Sequence, residues 1–170
     1  MTKKYAIFLD IDGVFTSHRV HMSKRFERMM WVEFDKVAIE FMNTIHEKHN
    51  VDFVIMSTWK NGLNPTDPML LHWIDCAFVN AGFRGRIHDD WKTNPLNDSS
   101  VERLDRGVQV KEWLDKHPEY SDFILFDDTH YSFERILGKK RHIRTDPDNG
   151  LLYKHMKNAL SLMGNWEKKV

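Results

Sequence analysis

The stretch Tyr5-Ala-Ile-Phe-Leu-Asp-Ile-Asp-Gly-Val14 decides the fold. Tyr5 to Leu9 is a short apolar run that ends at Asp10, the pattern of a strand buried on both faces. Asp10 and Asp12 follow two residues apart, and Gly13 lets the chain turn sharply. The arrangement recurs twice. Val51-Asp-Phe-Val-Ile-Met56 ends at Ser57, and Ser121-Asp-Phe-Ile-Leu-Phe126 ends at Asp127-Asp128.

Helical periodicity fills the spaces between these strands. Phe34, Val37, Ala38, Phe41, Met42 and Ile45 recur at helical spacing from Phe34 to Lys48. Asp67-Pro68 reads as an N-cap followed by proline at the first helical position. Leu70, Leu71, Ile74, Phe78 and Val79 then form an apolar face, with Gly82 as a stop. Arg106 to Lys116 reads as a helix with Val110, Trp113 and Leu114 inward. A short helix is expected from about Tyr131 to Leu137, a last short strand at Arg141-His-Ile-Arg144, a turn over Thr145 to Gly150 and an amphipathic helix from Leu151 to Trp166. Alternating strands and helices predict a three-layer α/β/α, Rossmann-like sandwich on a mainly parallel sheet. Sheets of this kind carry their sites at the carboxyl ends of the strands, where Asp10, Asp12, Ser57, Asp127 and Asp128 all fall.

Composition narrows the class. The 170 residues fit one domain, and 41% hydrophobic with 29% charged residues is ordinary for a globular protein. Lys plus Arg equals Asp plus Glu, 25 against 25, so overall charge points to neither nucleic acid nor membrane. Cys76 is the only cysteine, which suits a reducing compartment. No apolar run approaches a membrane span, and the start lacks the apolar core of a secretory signal, so the expected location is the cytoplasm.

Two carboxylates at one strand tip can divide the work of phosphoryl transfer. One attacks phosphorus while the other shuttles protons to the leaving oxygen and from water. Clustered carboxylates repel one another, and a bound Mg²⁺ both relieves this and neutralises phosphate charge. Asp127-Asp128 adds the acidic groups from a second strand tip that a hard cation needs, although Asp128 alone also reads as a helix cap. Ser57, or Thr58 beside it, offers a hydroxyl for a phosphate oxygen. A cation must complete the clamp, and both Arg106 and Lys111 are candidates. The geometry of helix N-termini favours Arg106.

These residues resemble the haloacid dehalogenase-like superfamily. Asp10-Ile-Asp12-Gly-Val is similar to its first motif, Ser57 after Val54-Ile-Met to its second, and Asp127-Asp128 after Ile124-Leu-Phe to its fourth. The resemblance implies a Rossmann-like fold with Mg²⁺. It makes Asp10 the nucleophile that forms an aspartyl-phosphate, and Asp12 the general acid/base that also gives its backbone carbonyl to the metal. Ser57 binds phosphate, Arg106 or Lys111 is the third-motif cation, and Asp127, assisted by Asp128, ligates the metal. A closer likeness is to small phosphatase domains associated with RNA repair. It rests on Ser57-Thr-Trp-Lys60, Arg106-Gly107 and Thr145-Asp146…Gly150-Leu151, with Lys60 standing where arginine is usual.

The substrate is less well specified. Residues at about 15–33 leave room for a small lid but not for a large cap domain. Arg19, Lys24, Arg25 and Arg28, with His18 and His21, make that lid basic, which suits a nucleotide or a nucleic-acid end or else is a solvated helix face. Lys139 to Arg144 is a second basic stretch, better read as an edge strand guarded by charge. Trp59 and Trp91 offer faces for base stacking, though packing is the commoner use. The leading expectation is hydrolysis of a nucleotide-type phosphate monoester. The alternatives are a small-metabolite phosphatase and a receiver-like module that is phosphorylated without turnover.

Overall fold

In a computed structural model, residues 4–24, 33–61, 69–93, 106–129 and 133–164 are described. Among the described residues, five strands form one sheet: β1 (Lys4–Leu9), β2 (Asn50–Ile55), β3 (Ile87–Lys92), β4 (Asp122–Asp127) and β5 (His142–Arg144). All pairings are parallel, and the order is β3-β2-β1-β4-β5. The helices are α1 (His18–Lys24), α2 (Lys36–Lys48), α3 (Met69–Asn80), α4 (Arg106–Lys116), α5 (Phe133–Leu137) and α6 (Tyr153–Leu162). A one-turn 3₁₀ helix, Thr58–Asn61, follows β2.

Alternation along each central strand builds a core on both faces of the sheet. Tyr5, Ile7 and Leu9 of β1, with Ile124 and Phe126 of β4, join a cluster with Ile39 and Met42 of α2 and Ala159 and Leu160 of α6. Ala6 and Phe8, with Phe123 and Leu125, face the other way onto Val110 and Trp113 of α4 and Phe133 of α5. The predicted three-layer α/β/α architecture is the one observed. From β1 the chain runs outward to β2 and β3, then returns to the other side of β1 for β4 and β5. The two directions of progression diverge between β1 and β4, and a crevice opens at such a switch point beyond the strand ends.

Several boundaries differ from the sequence expectations. Helix α2 starts at Lys36 rather than Phe34, because the Asp35 carboxylate accepts the Val37 and Ala38 amides at 2.9 and 3.4 Å and caps it. Val37 and Val79 sit on the margins of their apolar stripes and are more than half exposed, so neither belongs to the core. Strand β3 is not anticipated by any apolar run, since Ile87-His-Asp-Asp-Trp-Lys92 is an edge strand with an irregular register against β2. The Asp67-Pro68 start, the first turn of the Tyr131–Leu137 helix and the end of the Leu151–Trp166 helix lie outside the described residues. Among the described residues no helix is long and apolar enough to cross a membrane.

Candidate active site

Strands β1 and β4 pair in register from Tyr5 with Asp122 to Leu9 with Phe126, which sets the next residues, Asp10 and Asp127, side by side. The amide of Asp10 continues the ladder by donating to Phe126 O at 2.9 Å. Both carboxylates are buried, Asp127 completely. The Ile11 amide donates to Asp10 Oδ1 at 2.8 Å, and the Thr129 amide donates to Asp127 Oδ1 at 2.8 Å. Asp128 leans in from the following loop. It explains Gly13: φ is 70° there, and an added Cβ would stand 2.5 Å from Asp128 Cγ and 2.7 Å from its Cβ.

Arg106, the first residue of α4, bridges the two strand tips. Its Nη1 donates to Asp10 Oδ2 at 2.7 Å and to Asp127 Oδ2 at 2.5 Å. Burial works against its charge, but the Asp10 and Asp127 carboxylates outweigh that and hold its pKa above the ordinary value. Burial pushes the Asp10 carboxyl above the usual carboxylate range. Arg106 opposes that shift, and the Asp127 charge adds to it. Asp128 is raised as well, first by burial and then by the charges of Asp10 and Asp127. Ser57, fully buried at the exit of β2, hydrogen-bonds to Asp10.

Asp12 is exposed and held by two donors. Thr16 Oγ1 donates to its Oδ1 at 2.8 Å, and Trp59 Nε1 donates to its Oδ2 at 2.9 Å. This ties the loop after β1 to the turn after β2. Thr58, exposed, begins that turn. Lys111 is far from the cluster. It lies five residues beyond Arg106, about 140° around the helix, and pairs with Asp115 at 2.6 Å on the surface. Arg19 of α1 is ion-paired with Asp35, while the Lys24 side chain, Arg25 and Arg28 lie outside the described residues. Of the second basic stretch, Lys139 and Arg141 are engaged with Asp122. Arg144 donates to Asp128 O at 3.1 Å, beside the site.

Two residues of the site escape a reading of the sequence. Trp59 packs its ring on Phe34 at 5.9 Å, the commoner use expected of it, but its indole N–H also holds Asp12, a role that no local signal in the sequence announces. Lys60 stands out only as a departure from arginine, yet it is a buried cation among Met56, Thr93 and Gln109. The available signal is the run Ser57-Thr-Trp-Lys60 directly after a buried strand.

Asp10, Asp127 and Asp128 each offer a carboxylate oxygen, and these atoms lie within 4.8 Å of one another. An all-oxygen donor set from two strand tips fits a hard divalent cation such as Mg²⁺. A second group, His88, His117 and Glu119, has comparable spacing. There, His88 Nδ1 already accepts the Asp90 amide, and the His117 ring nitrogens face Asp90 and Glu119.

A family model described as "HAD domain in Swiss Army Knife RNA repair proteins" matches residues 6–156. No curated protein and no solved structure matches the chain.

Proposed function

The chain belongs to the family of HAD domains in Swiss Army Knife RNA repair proteins, and from that premise we propose that it hydrolyses phosphate monoesters of nucleotide type. The observation that supports this most is the meeting of Asp10, Asp127 and Asp128 under one guanidinium at the switch point of the sheet. A carboxylate oxygen of Asp10 attacks phosphorus as the bond to the leaving oxygen breaks, and Asp12 gives that oxygen its proton. Water then attacks the aspartyl-phosphate, Asp12 takes the water proton, and inorganic phosphate leaves with Asp10 restored. Arg106 and the Ser57 hydroxyl meet the charge on the transferring phosphoryl oxygens. Asp10, Asp127 and Asp128, with the Asp12 carbonyl, would hold Mg²⁺. The ion, once bound, neutralises phosphate charge that would otherwise repel the nucleophile.

The substrate assignment draws on family membership and on the basic stretch expected to form the lid, of which Arg19 lies on α1 and is ion-paired with Asp35. Release of phosphate from p-nitrophenyl phosphate with Mg²⁺ tests the reaction. A panel of 5′- and 3′-mononucleotides, phosphorylated oligonucleotides and sugar phosphates tests the leaving group. We expect the nucleotide-type members to show the highest kcat/KM. Preference for a sugar phosphate would give the substrate to small-metabolite chemistry. A stable phosphoryl group on Asp10 without turnover would make the chain a receiver-like module.

Metal binding has its own signature in stability. The folded pKa values of Asp10 and Asp128 lie above those of an unfolded chain. The folded state therefore binds more protons across that interval, and stability falls as pH rises through it. In EDTA, the melting temperature should fall as pH rises above the ordinary carboxylate pKa, about 4, through the raised pKa values of these groups. With Mg²⁺ at about a hundred times its Kd, bound ion adds about 2.7 kcal/mol, and the fall should flatten. Scanning calorimetry in EDTA and in Mg²⁺ reads this. Identical curves in the two buffers would remove the ion from the site.

A further inference from the structure

Lys60 occupies a place where a cation is costly. The residue is 2% exposed. Burial, and after it the Arg106 charge, pushes its pKa down to about 7, with Asp10 pulling the other way. The ammonium nonetheless meets three acceptors: Met56 O at 3.4 Å, Thr93 Oγ1 at 2.5 Å and Gln109 Oε1 at 2.5 Å. Three donors facing three acceptors satisfy a lysine completely. Lys60 is therefore not arranged to take a phosphate oxygen itself.

Its acceptors come from three separate segments. Met56 lies at the exit of β2, Thr93 at the exit of β3, and Gln109 within α4. Thr93 Oγ1 also donates to Gln109 Oε1 at 3.2 Å, which closes the cluster. Gln109 is three residues beyond Arg106, so the two share a face of α4. On the other side, the Lys60 amide donates to Ser57 O at 3.1 Å, and Ser57 hydrogen-bonds to Asp10. The network thus ends on one side at the carboxylate and on the other at the helix that carries the guanidinium.

We infer that Lys60 is a positioning residue, whose ammonium locks the start of α4 to the turn after β2 so that Arg106 meets Asp10 and Asp127. The inference rests on the proposed hydrolase reading. Lys60→Met keeps the length of the side chain and removes its donors, and Lys60→Arg keeps a buried cation. The full chain is compared as wild type, Lys60→Met, Lys60→Arg, Arg106→Ala and the Lys60→Met/Arg106→Ala double variant. The readouts are kcat and KM on p-nitrophenyl phosphate with Mg²⁺, and melting temperature.

Lys60→Met should lower kcat by roughly ten- to a hundredfold with a smaller change in KM, and Lys60→Arg should restore most of it. The double variant should be no slower than Arg106→Ala, because Lys60 acts through that residue. Multiplying losses, or wild-type kcat in Lys60→Met, would overturn the assignment. Should Lys60→Met fail to fold, Gln109→Leu cuts the same link and is held to the same non-additivity. If wild type turns nothing over, the hydrolase reading falls and the inference is judged by ¹⁵N spectra. The Arg106 guanidinium signals, slowed by two buried carboxylates, should broaden in Lys60→Met. Unchanged signals would reject the positioning role.

Discussion

Asp10→Asn is expected to abolish turnover of p-nitrophenyl phosphate while leaving the protein folded. The substitution is nearly isosteric, so the packing at the tip of β1 is kept. It removes a charge whose burial already drives the Asp10 pKa upward, so the metal-free melting temperature should hold or rise. Arg106 keeps Asp127 as its partner. What disappears is the attacking oxygen. An amide is a poor nucleophile toward phosphorus, and loss of the nucleophile of a covalent mechanism costs about four orders of magnitude or more in kcat. Asp12→Asn differs in kind. The nucleophile survives, but neither the leaving oxygen nor the attacking water has its proton partner, so most activity is lost and the phosphorylated enzyme accumulates. Intact-protein mass spectrometry after a substrate pulse should show one added phosphoryl group in Asp12→Asn and none in Asp10→Asn. A folded Asp10→Asn variant with near wild-type kcat would mean that water attacks phosphorus directly and that Asp10 has no covalent role.

The parts of this site that are legible in the sequence are those whose chemistry is written into strand ends. An apolar run buried on both faces must stop where polar side chains begin. That rule alone places Asp10, Ser57 and Asp127 at one edge of the sheet. Register does the rest, since pairing Leu9 with Phe126 makes Asp10 and Asp127 neighbours. Strand β3 is illegible for the converse reason. As an edge strand with a polar sequence, His88-Asp-Asp90, it is half exposed and carries no apolar run. Without β3, Thr93 at its exit has no place, and neither does the buried polar cluster it forms with Lys60 and Gln109. A lysine in a sequence reads as solvated because nothing local announces its burial. Its two side-chain partners come from positions 33 and 49 residues away. The exposed Val37 and Val79 show the opposite error, in which a periodic pattern extends one position wider than the face that is covered.

Arg106→Ala should reduce kcat far more than Lys111→Ala, by about a hundred- to a thousandfold, the scale of a lost transition-state donor. The two cations look similar in sequence, five residues apart on one helix. Helical geometry separates them by more than a third of a turn. Arg106 faces Asp10 and Asp127 with its side chain 11% exposed, whereas Lys111 is 54% exposed and paired with Asp115. A surface i,i+4 pair of that kind is worth about half a kcal/mol or less, so Lys111→Ala should change neither kcat nor melting temperature appreciably. Removing Arg106 instead strips the compensating charge from two buried carboxylates, a change that ordinarily costs several kcal/mol. Mg²⁺ on those carboxylates should recover much of that stability without recovering the rate, because the ion neutralises the aspartates but does not supply a donor at the guanidinium's position. Arg106→Lys sharpens the point, since a single nitrogen, Nη1, makes both contacts. An ammonium could satisfy both carboxylates only by reaching the same place on a shorter stem. It should therefore restore stability more fully than kcat. If Lys111→Ala proved the slower enzyme, the clamp would belong to a conformation in which α4 has rotated, and Arg106 would be a structural bridge alone.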